Sequence, residues 1–163
     1  MKRTLYVSRP LLNGAELLRW ATALGLTSTL PADDLHTTIC FSRTPMEWDA
    51  IAPDTRQLHT RGGKRLVKQF GKATVLRFDS QHLSERWWSF RQVGASYEHP
   101  SYQPHVTFTF EAPEGFNPAA AEPFDGELRF GPERFKPVKE NWKAGVKEQR
   151  VRHLLPVRLK ARA

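Results

Sequence analysis

The chain is expected to be an α+β protein of two lobes, with antiparallel sheets flanking a central cleft and helices on the outside. Three observations predict this. Strand-like and helical runs follow the order strand, helix, strand, and then strands, helix, strand. Each helical run is followed by an apolar-flanked strand that carries His-x-Thr, "LHTTICF" in the first half and "PHVTFTF" in the second. The length of 163 residues suits one domain, or two small lobes that share a core. Residues 1–163 are therefore read as one bilobal domain. The likeness between its halves is one of pattern, not of residue identity.

The elements follow in order. "TLYVS", Thr4 to Ser8, is rich in β-branched and aromatic residues and reads as a strand. A helix follows, with Asn13 as N-cap and Glu16 at capping-box spacing. Leu17, Leu18, Ala21 and Leu24 give its apolar stripe, Trp20 lies nearer the edge and Gly25 ends it. "LHTTICF" is the next strand. "TPMEWDAI" reads as a short helix started by Thr44, with Pro45 at its first position. "RLVKQFG" and "KATVLRFDS" form a hairpin around Gly71 and Lys72. "SQHLSERWWSFRQVGAS" is the second long helix, with Leu83, Trp87, Phe90 and Gly94 on one face. Of the adjacent pair Trp87 and Trp88, Trp87 is the one assigned to the core. After "PHVTFTF" comes a Pro/Gly/Ala-rich loop, 112–126, long enough to be a lid candidate. "ELRFG" and "ERFKPV" read as strands around a turn, and the tail "VRHLLPVRLKARA" holds a last strand and a basic end.

Lys plus Arg number 25 and Asp plus Glu 17, a formal charge of +8. A positive field concentrates polyanions, of which nucleotides and nucleic acids are the obvious examples, although a basic surface also serves solubility. The single cysteine, Cys40, cannot close an internal disulfide, which points to a reducing compartment. The opening "MKRTLYVSRP" has no apolar run behind its basic residues, so neither signal peptide nor membrane span is expected. The cytoplasm is the expected location.

His-x-Ser/Thr occurs four times, starting at His36, His82, His99 and His105. Residues i and i+2 share a face on a strand but not on a helix. His82 falls in the second helix and His99 precedes a proline, so only His36 with Thr38, and His105 with Thr107, are expected to present both groups together. Two imidazoles can serve as base and acid at the two ends of one bond. Two hydroxyls can donate to non-bridging phosphoryl oxygens as charge builds there. The set suits a phosphodiester and calls for no metal or cofactor. A zinc site built from the two histidines with Asp33 or Asp34 is the rival, without His-x-His, HExxH or a cysteine cluster in its favour. His59, His82, His99 and His153 are expected at the surface. "RGGKR", Arg61 to Arg65, lacks the Walker pattern and is read as a turn.

Two His-x-Thr strands in one small bilobal chain resemble the 2H phosphoesterase superfamily. "PHVTFTF" fits its Pro-His-hydrophobic-Thr-hydrophobic form, and "LHTTICF" departs from it at the polar Thr37, which points away from the catalytic face. "LYVSRPLLN" followed by "LPADDLHTTI" is similar to one branch, the phage anti-CBASS phosphodiesterases that degrade cyclic oligonucleotide signals of bacterial antiphage defence. The likeness runs from the first strand to about Trp142. It implies His36, Thr38, His105 and Thr107 as the catalytic set, and Tyr6, Glu133 and Trp142 as nucleotide contacts. It implies a cyclic oligonucleotide or other phosphodiester nucleotide as substrate, with no membrane and no obligate protein partner. A phage-encoded protein would act in the host's bacterial cytoplasm. An enzyme of linear RNA ends and a nucleotide-sequestering protein are the competing expectations.

Overall fold

The computed structural model describes residues 1–139. The tail strand expected within 151–163, His153 and Trp142 lie outside the described residues. The first sheet has the order β2-β1-β8, from β1 (Lys2–Pro10), β2 (His36–Glu47) and β8 (Arg134–Lys136). The second has the order β4-β5-β6, from β4 (Arg65–Phe70), β5 (Ala73–Phe78) and β6 (His105–Thr109). A small third sheet joins β3 (Leu58–Thr60) to β7 (Leu128–Phe130). Every pairing is antiparallel. This is the α+β architecture that the element order predicts.

The two helices cross over between the halves. Along α1 (Gly14–Ala23), Leu17 and Ala21 are fully buried, and the Trp20 ring meets Phe108 of β6 edge-on at 5.2 Å. Along α2 (Gln81–Gln92), Leu83 and Phe90 are buried, and Phe90 meets Phe135 of β8 at 5.7 Å. Each helix thus packs on the sheet of the other half, and one apolar core draws on both. Gly14 permits a close approach at the start of α1, since a Cβ there would stand 2.5 Å from the Ala32 carbonyl oxygen. Trp87 packs against the core while Trp88 is exposed, as expected.

Several local expectations are corrected. No helix forms over Thr44–Ile51: β2 runs on to Glu47, and a single 3-10 turn follows at Trp48–Ala50. Pairing of Arg3 with Met46 and burial of Met46 outweigh the local helix-start signal, and the ladder is irregular where Pro45 interrupts it. Asn13 stands at the N-cap position but its side chain does not cap α1. It donates to the Glu127 carbonyl at 2.7 Å and accepts from the Arg129 amide at 3.0 Å, which anchors the strand β7. The runs "ELRFG" and "ERFKPV" are strands but belong to different sheets. In the 112–126 loop, the Trp20 indole donates to the Glu122 carbonyl, Arg65 donates to the Phe124 and Gly126 carbonyls, and Phe124 is buried. That packing draws the second half of the loop into the core. Gly62 and Gly63 take positive φ, so "RGGKR" is a turn, and Arg61 is engaged by Glu127.

Candidate active site

Strand alternation sets the faces. On β2, Thr37 and Ile39 are fully buried, whereas His36 and Thr38 keep solvent access. On β6, Val106 and Phe108 are fully buried, whereas His105 and Thr107 are half-buried. The two strands are not neighbours in a sheet. They are tied side by side by Thr37, whose Oγ1 donates to the His105 carbonyl at 2.9 Å. Thr109 Oγ1 on the Ser28 carbonyl at 2.6 Å, and the Leu30 amide on the Phe108 carbonyl at 2.9 Å, extend the same seam. Thr37, assigned no role from its position, is therefore the link between the two histidine strands.

Both imidazoles are held in the same way. His36 Nδ1 lies 2.7 Å from the Asp34 carbonyl oxygen, and His105 Nδ1 lies 2.7 Å from the Gln103 carbonyl oxygen. A carbonyl can only accept, so Nδ1 carries the proton in each ring and Nε2 is the working nitrogen. The His36 Nε2 lone pair then accepts from the Tyr6 hydroxyl at 2.9 Å, and Tyr6 oxygen in turn accepts from Thr38 Oγ1 at 2.8 Å. Thr38, Tyr6 and His36 form one hydrogen-bonded chain. The Thr38 carbonyl is fixed from behind by the Tyr102 hydroxyl at 2.9 Å, and Tyr102 is stacked on Trp87 of α2. The His105 ring meets Phe70 edge-on at 5.0 Å, a neighbour that strand pattern alone leaves anonymous.

His36 is exposed at its edge, yet the protein atoms around the ring displace part of its hydration, and that desolvation lowers its pKa below the ordinary 6.5. The Asp34 carbonyl and carboxylate oppose that shift, and the positive charges of Lys136 and Arg134 add to it. Desolvation also lowers the His105 pKa, against its Gln103 bond, with a further push from His36 and His99. The charge of His36 is thus felt at the His105 ring. Burial raises the Tyr6 pKa, so its hydroxyl stays protonated at neutral pH. Cys40 is buried with its thiol pushed up to about 12, and it has the character of a core residue. No cluster of three or more metal-ligating side chains occurs among the described residues.

Glu133 is not with this set. Its carboxylate is fully buried and receives two hydrogen bonds from the Arg86 guanidinium, at 2.8 and 2.5 Å. It also accepts from the Asp54 amide at 3.0 Å and stands 4.0 Å from fully buried Arg9. Arg9 is paired with Asp54 at 2.9 Å. Burial works against ionised Asp54, but hydrogen bonds from Arg56 and the charge of Arg9 outweigh it and hold its pKa at about 2. His82 stands 3.2 Å from Asp54, so it belongs to the edge of this network and not to the open surface. Glu133, expected as a nucleotide contact, thus sits in an internal ion cluster with Arg9, Asp54 and Arg86, because it precedes β8 on the same side as Arg9.

A family model for "Anti-CBASS protein Acb1" matches residues 3–145. The anti-CBASS protein Acb1 of Caulobacter sp. (strain RHG1) is 44% identical over 153 residues, which cover 90% of this chain and 24% of that protein. The anti-CBASS protein Acb1 of Sphingomonas paeninsulae is 42% identical over 150 residues, 86% of this chain and 24% of its own length. The chain spans about a quarter of these two relatives. Among solved structures, E. coli LigT complexed with 3'-AMP superposes with a TM-score of 0.55 at 14% identity, covering 85% of this chain and 97% of LigT. LigT is a 2H phosphoesterase, and the likeness is one of fold. The family match takes in both His-x-Thr strands and the sheet that carries Tyr6, and on that extent the chain belongs to the anti-CBASS protein Acb1 family.

Proposed function

We propose that the chain is a metal-independent phosphodiesterase that opens 3′–5′ linkages of cyclic di- or trinucleotide signals and so counters CBASS defence. The observation that carries this reading is the matched pair of imidazoles. Each holds its Nδ1 proton on the carbonyl two residues before it and turns Nε2 outward, on strands joined by Thr37. One Nε2 takes the proton of a ribose 2′-hydroxyl. The 2′-oxygen attacks phosphorus, and the bond from phosphorus to the 5′-oxygen breaks. The other histidine, as imidazolium, gives its proton to that 5′-oxygen, which leaves a 2′,3′-cyclic phosphate. Thr38 and Thr107 donate to the non-bridging oxygens, and Tyr6 hands its hydrogen bonds over as substrate enters. Burial that lowers both pKa values keeps a neutral base ready, and the arriving phosphate anion raises the pKa of its partner toward that of a working acid.

A second reading is action on linear RNA ends, and the observation in its favour is that LigT, which shares the fold, was crystallised with the linear nucleotide 3'-AMP. The two separate in one assay. The protein is incubated in EDTA with cyclic di- and trinucleotides, and with RNA ending in a 2′,3′-cyclic phosphate, then denatured and the ligands analysed. Cleaved cyclic ligand, lost in His36→Ala and in His105→Ala, is the expected result. Cyclic ligand recovered whole overturns the reading, and so does full activity in either variant. Cleavage of the linear RNA alone selects the second reading.

A further inference from the structure

We propose that Arg134 and Lys136 of β8 form a second phosphate subsite, which holds the phosphodiester of a cyclic oligonucleotide that is not being cut. This rests on the phosphodiesterase reading above and specifies the substrate class: nucleotides with at least two phosphodiesters.

The sheet register places the two cations. Ser8 of β1 stands opposite Thr38 of β2 on one side and opposite Arg134 of β8 on the other. Thr38, Ser8 and Arg134 are one rung of the sheet. Lys136 stands opposite Tyr6. Directly opposed residues of an antiparallel pair project from the same face. Arg134 and Lys136 therefore rise from the face that carries Tyr6 and Thr38, while Phe135 between them turns inward to Phe90. Two strand spacings separate the backbones of Thr38 and Arg134, about 10 Å, which leaves room for a second anionic group beside the first.

Neither the Arg134 nor the Lys136 side chain is neutralised by a carboxylate, a state they share with Arg19 and Arg77, and it is the register beside Tyr6 and Thr38 that singles them out. Arg9, Arg43, Arg56, Arg61, Arg86 and Arg129 each stand within ion-pair distance of a carboxylate. The Arg134 and Lys136 side chains are exposed and make no ion pair or hydrogen bond with any described residue. Their field reaches His36, where both act to lower its pKa. Unneutralised positive charge next to a histidine that must be protonated in part of the cycle opposes catalysis, and a second bound anion removes that conflict. The scissile phosphate has its own donors in Thr38 and Thr107. The anion that suits β8 is therefore another phosphodiester of the same ligand, held by charge-assisted hydrogen bonds. A 2′,3′-cyclic mononucleotide has no group to place there.

The test is a binding measurement, so that it stands apart from cleavage. In the His105→Ala background, titration calorimetry follows cyclic di-AMP and cyclic di-GMP, with two phosphodiesters, and 2′,3′-cyclic AMP, with one. Adding Arg134→Gln and Lys136→Gln is expected to weaken the better cyclic dinucleotide about tenfold at low salt, and to cut its preference over 2′,3′-cyclic AMP by a similar factor. The gap should narrow at high salt, and the charge-keeping pair Arg134→Lys and Lys136→Arg should restore most of the affinity. Both substitutions are on an exposed strand face, and an unchanged unfolding curve verifies the fold. Unchanged cyclic dinucleotide affinity in the double Gln variant overturns the subsite. An equal loss for 2′,3′-cyclic AMP also overturns it, as does a parent that binds neither cyclic dinucleotide. Ligand bound tightly but left whole by the native protein counts against the phosphodiesterase reading, and the β8 comparison still decides the subsite.

Discussion

Thr37 Oγ1 donates to the carbonyl oxygen of His105 at 2.9 Å, and this one side-chain bond joins two strands that share no ladder. Thr37 is fully buried. Thr37→Val keeps the shape and removes the donor, which leaves the His105 carbonyl without that partner. The expected cost is about 1 to 3 kcal/mol of stability, read from the urea midpoint. Activity should fall by more than the unfolded fraction explains, because the bond also sets the spacing of the histidine strands. A variant with native stability and native rate would remove Thr37 from any positioning role.

The pH profile of kcat/KM should be a bell with its maximum on the acid side of 6.5. One histidine must be neutral, which requires a pH above its pKa, and the other protonated, which requires a pH below its pKa. Both free-protein pKa values lie below 6.5, chiefly from desolvation, so the product of the two populations peaks below that value. A maximum above pH 7 would contradict the burial argument.

Tyr6→Phe removes the donor that favours the neutral form of His36. The His36 pKa should rise, and the pH limb that it governs should move up with it. The rate at the optimum should fall about tenfold or more, within the range for loss of a positioned polar group. An unchanged profile, followed by NMR titration of His36 or by kinetics, would argue against the Thr38–Tyr6–His36 chain.

Glu133→Gln tests a structural role against a base-reading one. The buried carboxylate accepts two short hydrogen bonds from Arg86 and faces Arg9. Removing its charge should cost about 3 kcal/mol or more, seen as a clear drop in Tm. A Gln variant of native stability with altered base preference would instead support the nucleotide contact implied by resemblance.

The strand placement of both His-x-Thr pairs was legible in the chain because a period of two leaves little choice once the apolar partners are known. Val106 and Phe108, or Thr37 and Ile39, go inward, and the histidines and Thr38 or Thr107 must face out. What was not legible depends on partners distant in sequence. β3 has three residues and gains its identity only from β7, with Leu58 opposite Phe130. Glu133 in "GPERF" looks like a solvated turn residue until Arg9, Asp54 and Arg86 are brought around it. The "TPMEWDAI" run has a good local helix start, and the β1 ladder overrides it. Thr37 belongs to the same class, because nothing local to it announces a carbonyl 68 residues away.

Both catalytic candidates take their ring orientation from a peptide carbonyl, at Asp34 for His36 and at Gln103 for His105. An acceptor of this kind has no side chain to lose. Substitution at position 34 or 103 changes the residue but keeps the oxygen, so the proton placement of both imidazoles is insulated from mutational drift. A rapidly diverging lineage could rewrite most of the surface around these strands, and the two rings would still present the same nitrogen.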